Sequence, residues 1–200
     1  MEVRKRVLGE EHPDTLTSMA NLALTYWNQL RWNEAESLGV QVMDTLKRVL
    51  GEEHPDTLAS MGNLALTYSN QDRWNEAESL GVQVMEASKR VLGEEHPWTL
   101  ISMANLASTY WNQDRWKEAE SLQMQVMEVR KRVLGEEHPS TLASMNNLAF
   151  TWHVQGRAKE SLHLMEQCVQ HRQRILGPNH PHTISSFSAL REWQESVGKW

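Results

Sequence analysis

The chain has 200 residues, 40% of them hydrophobic, and carries a formal net charge of −6 at pH 7. It is long enough to bury a sizeable core, and its acidic balance argues against a dedicated nucleic-acid binder, which would show a strongly basic face. No stretch approaches the roughly 18 uncharged apolar residues of a membrane-spanning helix, and the opening sequence MEVRKRVLGEEHP lacks the apolar centre of a signal peptide.

A His-Pro dipeptide recurs every 42 residues and marks an internal repeat. It is found at His12-Pro13, His54-Pro55, His96-Pro97, His138-Pro139 and His180-Pro181. The first two blocks, HPDTLTSMANLALTYWNQLRWNEAESLGVQVMDTLKRVLGEE and HPDTLASMGNLALTYSNQDRWNEAESLGVQVMEASKRVLGEE, are nearly identical. A fixed period of this length predicts a stack of equivalent supersecondary units, each covering the apolar face of its neighbour.

Each block begins with a pattern that predicts an amphipathic helix. Its apolar positions have helical spacing and are, in the first block, Leu16, Met19, Leu22, Ala23 and Tyr26. Proline suits the first position of a helix, and Asp14 complements the positive end of the helix dipole. The first of these apolar positions recurs as Leu16, Leu58, Leu100, Leu142 and Ile184. We expect all five side chains in the core.

A second amphipathic helix is predicted from about Trp32 to Leu50. Its apolar positions are Ala35, Leu38, Val42, Met43, Leu46, Val49 and Leu50. Lys47 and Arg48 lie in the last turn, where cations are favoured, and Gly51 supplies the stop. The basic residues near these helix ends, Arg130-Lys131-Arg132 among them, are typical of solvated surface.

The connection from Asn28 to Arg31 is short and makes the two helices an antiparallel hairpin. Its central position is Asp72, Asp114 or Gly156 in later blocks, residue types that tolerate a left-handed backbone, but Leu30 in the first. We therefore predict a strained backbone at Leu30.

These patterns predict an all-α fold, a right-handed α-solenoid of antiparallel hairpins in one domain, residues 1–200. The expected divisions are 1–11 (the end of a preceding second helix), 12–53, 54–95, 96–137 and 138–179 (four repeats), and 180–200 (a further first helix). Trp200 falls where Trp32 opens a second helix.

The spacing Asn-Leu-Ala-x-x-Tyr followed by Trp-x-Glu-Ala resembles the tetratricopeptide repeat (TPR). The 42-residue period and the ending Lys-Arg-Val-Leu-Gly-x-x-His-Pro are similar to the kinesin light chain type. The motifs HPDTL, MANLALTYWNQ and RWNEAESL look most like arrays in fungal NB-ARC or NACHT ATPases. This resemblance implies a scaffold or sensor arm, and the chain itself contains no phosphate-binding G-x-x-x-x-G-K-[ST] motif.

In similar TPR arrays the variable face of the first helices lines a concave groove that holds extended peptides. The residues that the resemblance places there are Thr17, Asn21, Leu24, Trp27, Asn28, Asn63, Leu66, Asn70, Ile101, Asn105, Trp111, Asn112, Asn147, Phe150 and His153. In kinesin light chain repeats, asparagines at these places bond the main chain of a peptide, since an amide both donates and accepts. The groove has few charges, so we expect an uncharged or weakly amphipathic peptide.

Two structural alternatives remain open for these residues. The tryptophans could pack against the next repeat, and each asparagine could bond the neighbouring helix. A second function is also open, because the ends of the stack could associate head to tail with other copies.

No enzyme, cofactor or metal site is predicted. The five His-Pro histidines are spaced roughly 10 Å apart, one hairpin each, too far to share an ion, and are expected to cap the first helices or bridge the preceding turn. The single cysteine, Cys168, aligns with core valines and should point into the core, away from His163 and His171. With no internal disulfide possible, we expect a reducing, cytoplasmic location.

Overall fold

A computed structural model describes residues 2–197. Within that range the chain forms ten α-helices: α1 Glu2–Leu8, α2 Pro13–Asn28, α3 Trp32–Leu50, α4 Pro55–Asn70, α5 Trp74–Leu92, α6 Pro97–Asn112, α7 Trp116–Leu134, α8 Pro139–Val154, α9 Ala158–Ile175 and α10 Pro181–Val197. The predicted all-α fold of helical hairpins is confirmed. The prediction for Trp200 lies outside the described residues.

The first helix of each repeat begins with a histidine cap. His12 precedes α2 with an extended backbone, and its Nδ1 accepts a hydrogen bond from the Asp14 backbone N–H at 3.2 Å. Equivalent bonds follow His54, His96, His138 and His180. The cap satisfies a donor that the helix start leaves unpaired, and the proline occupies the first turn, as predicted.

The turn after the first helix is left-handed, which confirms the prediction for Leu30. Its φ is 60°, and the φ values of Asp72 and Asp114 are both 58°. The Leu30 N–H donates to Trp27 O at 3.0 Å and the Arg31 N–H to Tyr26 O at 2.9 Å. This pair of bonds is the Schellman motif, which requires a left-handed residue at the position of Leu30.

The second helices end at glycines in the first three repeats. Gly51 has φ 93° and donates its N–H to Lys47 O, as predicted. Two apolar positions of this helix lie at the surface, since Val49 is 44% and Leu50 39% exposed. Arg130, predicted to be solvated, is half-buried and donates to Ser140 O and Ser144 Oγ.

The chain divides into two compact units, Met1–Thr109 and Tyr110–Trp200. The first contains two apolar clusters, both built from one first and one second helix: Leu16, Met19, Val42 and Leu46, and then Leu58, Met61, Val84 and Ala87. The repeated spacing of these residues therefore corresponds to hairpin packing.

The second unit has one larger cluster formed by α8, α9 and α10. Cys168 is fully buried within it, as predicted, and burial raises the pKa of its thiol. Ile184 departs from prediction, because it is 51% exposed while Leu16 is 4% exposed. Leu16 packs against α3 residues Val42 and Leu46, and no described helix covers α10 in the same way.

No helix within residues 2–197 combines the length and apolar character needed to cross a membrane.

Candidate functional site

The variable face of the first helices is accessible in the first unit. Thr17, Asn21 and Leu24 are exposed along α2, with Leu24 at 40%. On α6, Ile101 is likewise 40% exposed. Apolar side chains of this size at the surface mark a face with binding capacity when they lie beside one another.

The side chains of four asparagines on this face, Asn21, Asn63, Asn105 and Asn147, make no hydrogen bond with other described residues. Their backbone carbonyls accept bonds from threonine hydroxyls one turn later, but these bonds do not involve the side chains. The side-chain amides are therefore free. The alternative that these amides bond a neighbouring helix is therefore not what the structure has. Each amide retains both its donor and its acceptor capacity.

Helices α2, α3 and α4 enclose a cleft with two adjoining pockets. The first, here called the Trp27 pocket, has a volume of about 100 Å³. Its lining includes Leu24, Trp27, Leu66 and Asn63 from the first helices and Gly39 from α3. None of its lining residues is charged. The Trp27 pocket thus brings together four of the residues predicted from sequence.

The second pocket, here called the Asp56 pocket, has a volume of about 240 Å³. Its walls include Leu46, Val49 and Leu50 of α3, and its lining includes the carboxyl-bearing residues Glu11 and Asp56. Thr17 and Asn21 border it, and the two pockets share Ala20, Val42, Ser60 and Asn63. Asn63 therefore lies where a peptide crossing both pockets would pass.

Trp27 packs within its own repeat as well as lining the cleft. Its ring makes an edge contact with Trp32 at a centroid distance of 5.6 Å. Its Nε1–H is buried without a hydrogen-bond partner among the described residues. The ring is thus fixed by packing and keeps an unpaired donor.

The neighbouring α4–α6 cleft is occupied by a side chain of the protein itself. Trp98 stands in α6 at the repeat position of Asp56, and Gly62 stands in α4 at the repeat position of Ala20. A Cβ on Gly62 would lie 3.7 Å from Trp98 Cζ2, so the indole rests on the glycine. Sequence reasoning missed this contact, although both substitutions are visible on aligning the repeats.

In the second unit, two predicted groove residues contact a tryptophan of α10. The Phe150 ring contacts the Trp193 ring edge-on, with 5.1 Å between the ring centroids. The His153 ring stacks on the same tryptophan, with a centroid distance of 4.1 Å. Burial lowers the pKa of His153. Phe150 and His153 are both half-buried, whereas Asn147 is exposed on the same helix.

The remaining predicted residues lie near the ends of first helices. Trp111 is 37% exposed, and Asn28 and Asn112 are exposed at the last position of their helices. Asn70 instead donates to Leu66 O at 2.7 Å and so completes the end of α4.

A polar network that the sequence analysis missed joins consecutive hairpins. Glu36 of α3 accepts hydrogen bonds from Gln71 Nε2 at 2.9 Å and Arg73 Nη1 at 2.7 Å. Burial raises the pKa of Glu36, but these bonds outweigh it and hold the pKa below its ordinary value. Arg73 also stacks over Tyr68 at 4.3 Å. The signal was a Tyr-x₄-Arg spacing in the first three repeats.

Comparison with known proteins then gives the family. The family model described as tetratricopeptide repeat matches residues 15–56, 57–97, 99–140 and 141–182. This chain belongs to the tetratricopeptide repeat family. A kinesin light chain-like protein of Podosopora anserina, with nearly identical TPR-like repeats, is 34% identical over 94% of this chain and 90% of its own, with a TM-score of 0.83. Comparison with curated proteins finds no match.

More distant structures share the TPR fold alone. BtubC (BKLC) from P. vanneervenii is 18% identical over 98% of this chain and 79% of its own, with a TM-score of 0.83. The apo form of RapI is 11% identical over 98% of this chain and 74% of its own, with a TM-score of 0.76.

TPR folds are in general interaction scaffolds rather than enzymes. Among the described residues of this TPR chain, no group of three or more His, Cys, Asp or Glu side chains could hold a metal ion. His163 Nε2 lies 3.1 Å from Gln167 Nε2, and His171 Nδ1 lies 3.6 Å from Glu137 Oε1. Both histidines therefore interact with other residues than Cys168.

Proposed function

We propose that this TPR chain binds an extended segment of a partner protein on the variable face of its first helices. The observation that carries the proposal is the set of free amides on Asn21, Asn63 and Asn105. They stand beside the exposed side chains of Leu24 and Ile101, so that one face offers both hydrogen bonds and apolar contacts.

An extended peptide suits such a face for a geometric reason. It presents a backbone N–H and C=O at every residue, about 3.3 Å apart, and these groups need partners when they leave water. A free amide can accept from one and donate to the other. Apolar side chains of the peptide then add affinity by burial against the exposed leucine and isoleucine.

Peptide display tests the proposal. Random twelve-residue peptides displayed on phage are selected on the immobilised chain, and the enriched peptides are synthesised with a fluorescent label for anisotropy titration. Since a hydrogen bond contributes about 0.5–1.5 kcal/mol, Asn63→Ala should weaken binding about 2- to 13-fold. Asn75→Ala, which changes an exposed asparagine on α5, is the matched control. No enrichment, or equal loss in both variants, overturns the proposal.

Self-association is a second candidate function with its own observation. Ile184 and Phe187 of α10 are 51% and 48% exposed, whereas Leu16 and Met19 at the same repeat positions are 4% and 3% exposed. Light scattering over a hundredfold concentration range measures the mass. A mass that rises for the wild type but not for an Ile184→Ser, Phe187→Ser variant supports association, and a constant mass near 23 kDa excludes it.

The chain is further proposed to act as a sensor or scaffold arm of a larger cytoplasmic signalling protein. Its resemblance to the repeat arrays of fungal NB-ARC and NACHT ATPases supports this. Deleting the repeats from the parent protein should change its rate of nucleotide hydrolysis, and an unchanged rate contradicts a sensor role.

A further inference from the structure

The two clefts formed by successive first helices in the first unit differ at two repeat positions that affect how far each cleft is filled. In the α4–α6 cleft, Trp98 fills the space above Gly62. In the α2–α4 cleft, the same positions hold Asp56 and Ala20, and there the Asp56 pocket of about 240 Å³ is open. The repeats thus contain their own example of an occupied cleft beside an open one.

The local backbone is the same in both cases. The Asp56 N–H donates to His54 Nδ1 at 3.2 Å, and the Trp98 N–H donates to His96 Nδ1 at 3.2 Å. Both residues therefore start a helix from the same cap. The two clefts therefore differ in their side chains, Trp98 on Gly62 in one and Asp56 with Ala20 in the other, and not in the backbone of the cap.

The two open pockets differ in chemistry. The Trp27 pocket has no charged lining residue, and its volume of about 100 Å³ is below the 150 Å³ of a cavity that holds benzene, so an aliphatic side chain suits it. The Asp56 pocket combines apolar walls with carboxylates, and no Lys, Arg or His from the described part of the chain lines it. A Lys or Arg side chain fits that combination, since its stem packs on apolar surface and its charged end reaches the rim.

The rim charge is carried mainly by Asp56. Glu11 already pairs with Arg48 at 2.5 Å. The Asp56 side chain is 71% exposed. Among the described residues its one ion-pair contact is with His54 Nδ1 at 3.9 Å, and this contact counts only when that histidine is protonated. A cation at the mouth of the pocket would therefore meet a carboxylate without a strong partner.

We infer that the α2–α4 cleft selects a peptide with an aliphatic side chain two residues from a Lys or Arg. This inference rests on the proposed function. The pockets adjoin across Asn63, and alternate side chains of an extended peptide point the same way about 6.6 Å apart. The intervening peptide group then lies over the free Asn63 amide.

The test compares two substitutions at one position. Asp56→Trp copies Trp98 and should close the pocket without unfolding the chain, while Asp56→Asn removes only the charge. Wild type and both variants are titrated by anisotropy with a labelled twelve-residue peptide from the phage selection that contains Leu-Ser-Lys, and with the same peptide carrying Leu-Ser-Glu. Circular dichroism confirms that each variant is folded.

We expect selected peptides to be enriched in an aliphatic residue two positions from Lys or Arg. Asp56→Trp should weaken the Leu-Ser-Lys peptide more than 10-fold, since it removes the pocket. Asp56→Asn should weaken it by up to about 5-fold, as an exposed ion pair allows, and leave the Leu-Ser-Glu peptide unchanged or slightly tighter. The loss on Asp56→Asn should shrink in high salt.

Enriched peptides with aromatic or acidic residues in place of Lys or Arg overturn the inference. So does binding that Asp56→Trp leaves intact. If such peptides still lose affinity on Asn63→Ala, the groove proposal stands and only the choice of ligand fails. If no peptide binds the wild type, both fail.

Discussion

The backbone at Leu30 gives a prediction whose size follows from the structure. A left-handed conformation costs an L-residue with a Cβ about 1–2 kcal/mol, and the Leu30 φ of 60° lies in that region. The side chain is 71% exposed, so replacing it removes little packing. Leu30→Gly removes the strain but gives the unfolded chain extra freedom worth about 0.5–1 kcal/mol. The net gain in unfolding free energy should be about 0.5–1 kcal/mol.

Asparagine avoids part of that entropic loss while tolerating the left-handed region. Leu30→Asn should therefore stabilise the protein by about 1 kcal/mol. Unfolding entropy is about 2.1 cal/mol/K per residue, so for a chain of this length 1 kcal/mol corresponds to about 2–3 °C in Tm. Thermal and urea unfolding followed by circular dichroism at 222 nm would resolve both variants from the wild type.

Leu30→Ala separates backbone strain from the removal of an exposed leucine. It keeps the Cβ and hence the strain, so its Tm should match the wild type. If Leu30→Ala gains as much as Leu30→Gly, the exposed side chain is the cause and the strain argument is refuted. A Tm that is unchanged or lower in both Leu30→Gly and Leu30→Asn refutes it as well.

Three further predictions concern packing and charge. Ser88→Ala should raise stability by about 1 kcal/mol in urea unfolding, because the Ser88 hydroxyl is buried with no partner among the described residues. The urea midpoint should fall as the pH is lowered from 7.5 to 5.5, because the low pKa of His153 in the folded state makes the unfolded state bind the proton more readily. His153→Phe keeps an aromatic ring on Trp193 and should make that fall smaller. Glu36→Gln should lower stability by about 1 kcal/mol through the weakened bond from Arg73, again measured in urea.

Each of these has a matched control in the chain. Ser102→Ala removes a buried hydroxyl that donates to Thr99 O at 2.8 Å, so it should not stabilise; an equal gain would mean helix propensity explains Ser88→Ala. Glu34→Gln weakens an exposed pair with Arg31 and should change the free energy of unfolding little. If it lowers stability as much as Glu36→Gln does, the partial burial of Glu36 is not the reason for its larger effect. Identical pH curves for wild type and His153→Phe would rule out His153 as the titrating group.

The helix limits could be predicted closely because their signals are local. His54, Pro55 and Gly93 act through the backbone of their own turn, and the 42-residue period repeats those signals. The left-handed turn could be predicted because its central position holds Asp or Gly in the later repeats, and both residue types tolerate a left-handed backbone. The buried position of Cys168 followed in the same way from its alignment with valines.

The predicted site was only partly recoverable from sequence, because its accessibility depends on neighbours distant in the chain. Phe150 and His153 have the same register as residues of an open face, yet Trp193 covers them. Ile184 has the register of a core residue, yet it is exposed. Register gives the direction of a side chain on its helix, but not what packs against it.

The sequence by itself therefore determined the helices, their caps, the hairpin turns and the repeat, since each depends on contacts within a few residues. Tertiary structure decided which positions of the variable face stay open. A tryptophan rests on Gly62 in one cleft, while an aspartate leaves the adjacent cleft open. The physical reason is that burial is set by the volume and charge of side chains some 40 residues away, which no local pattern records.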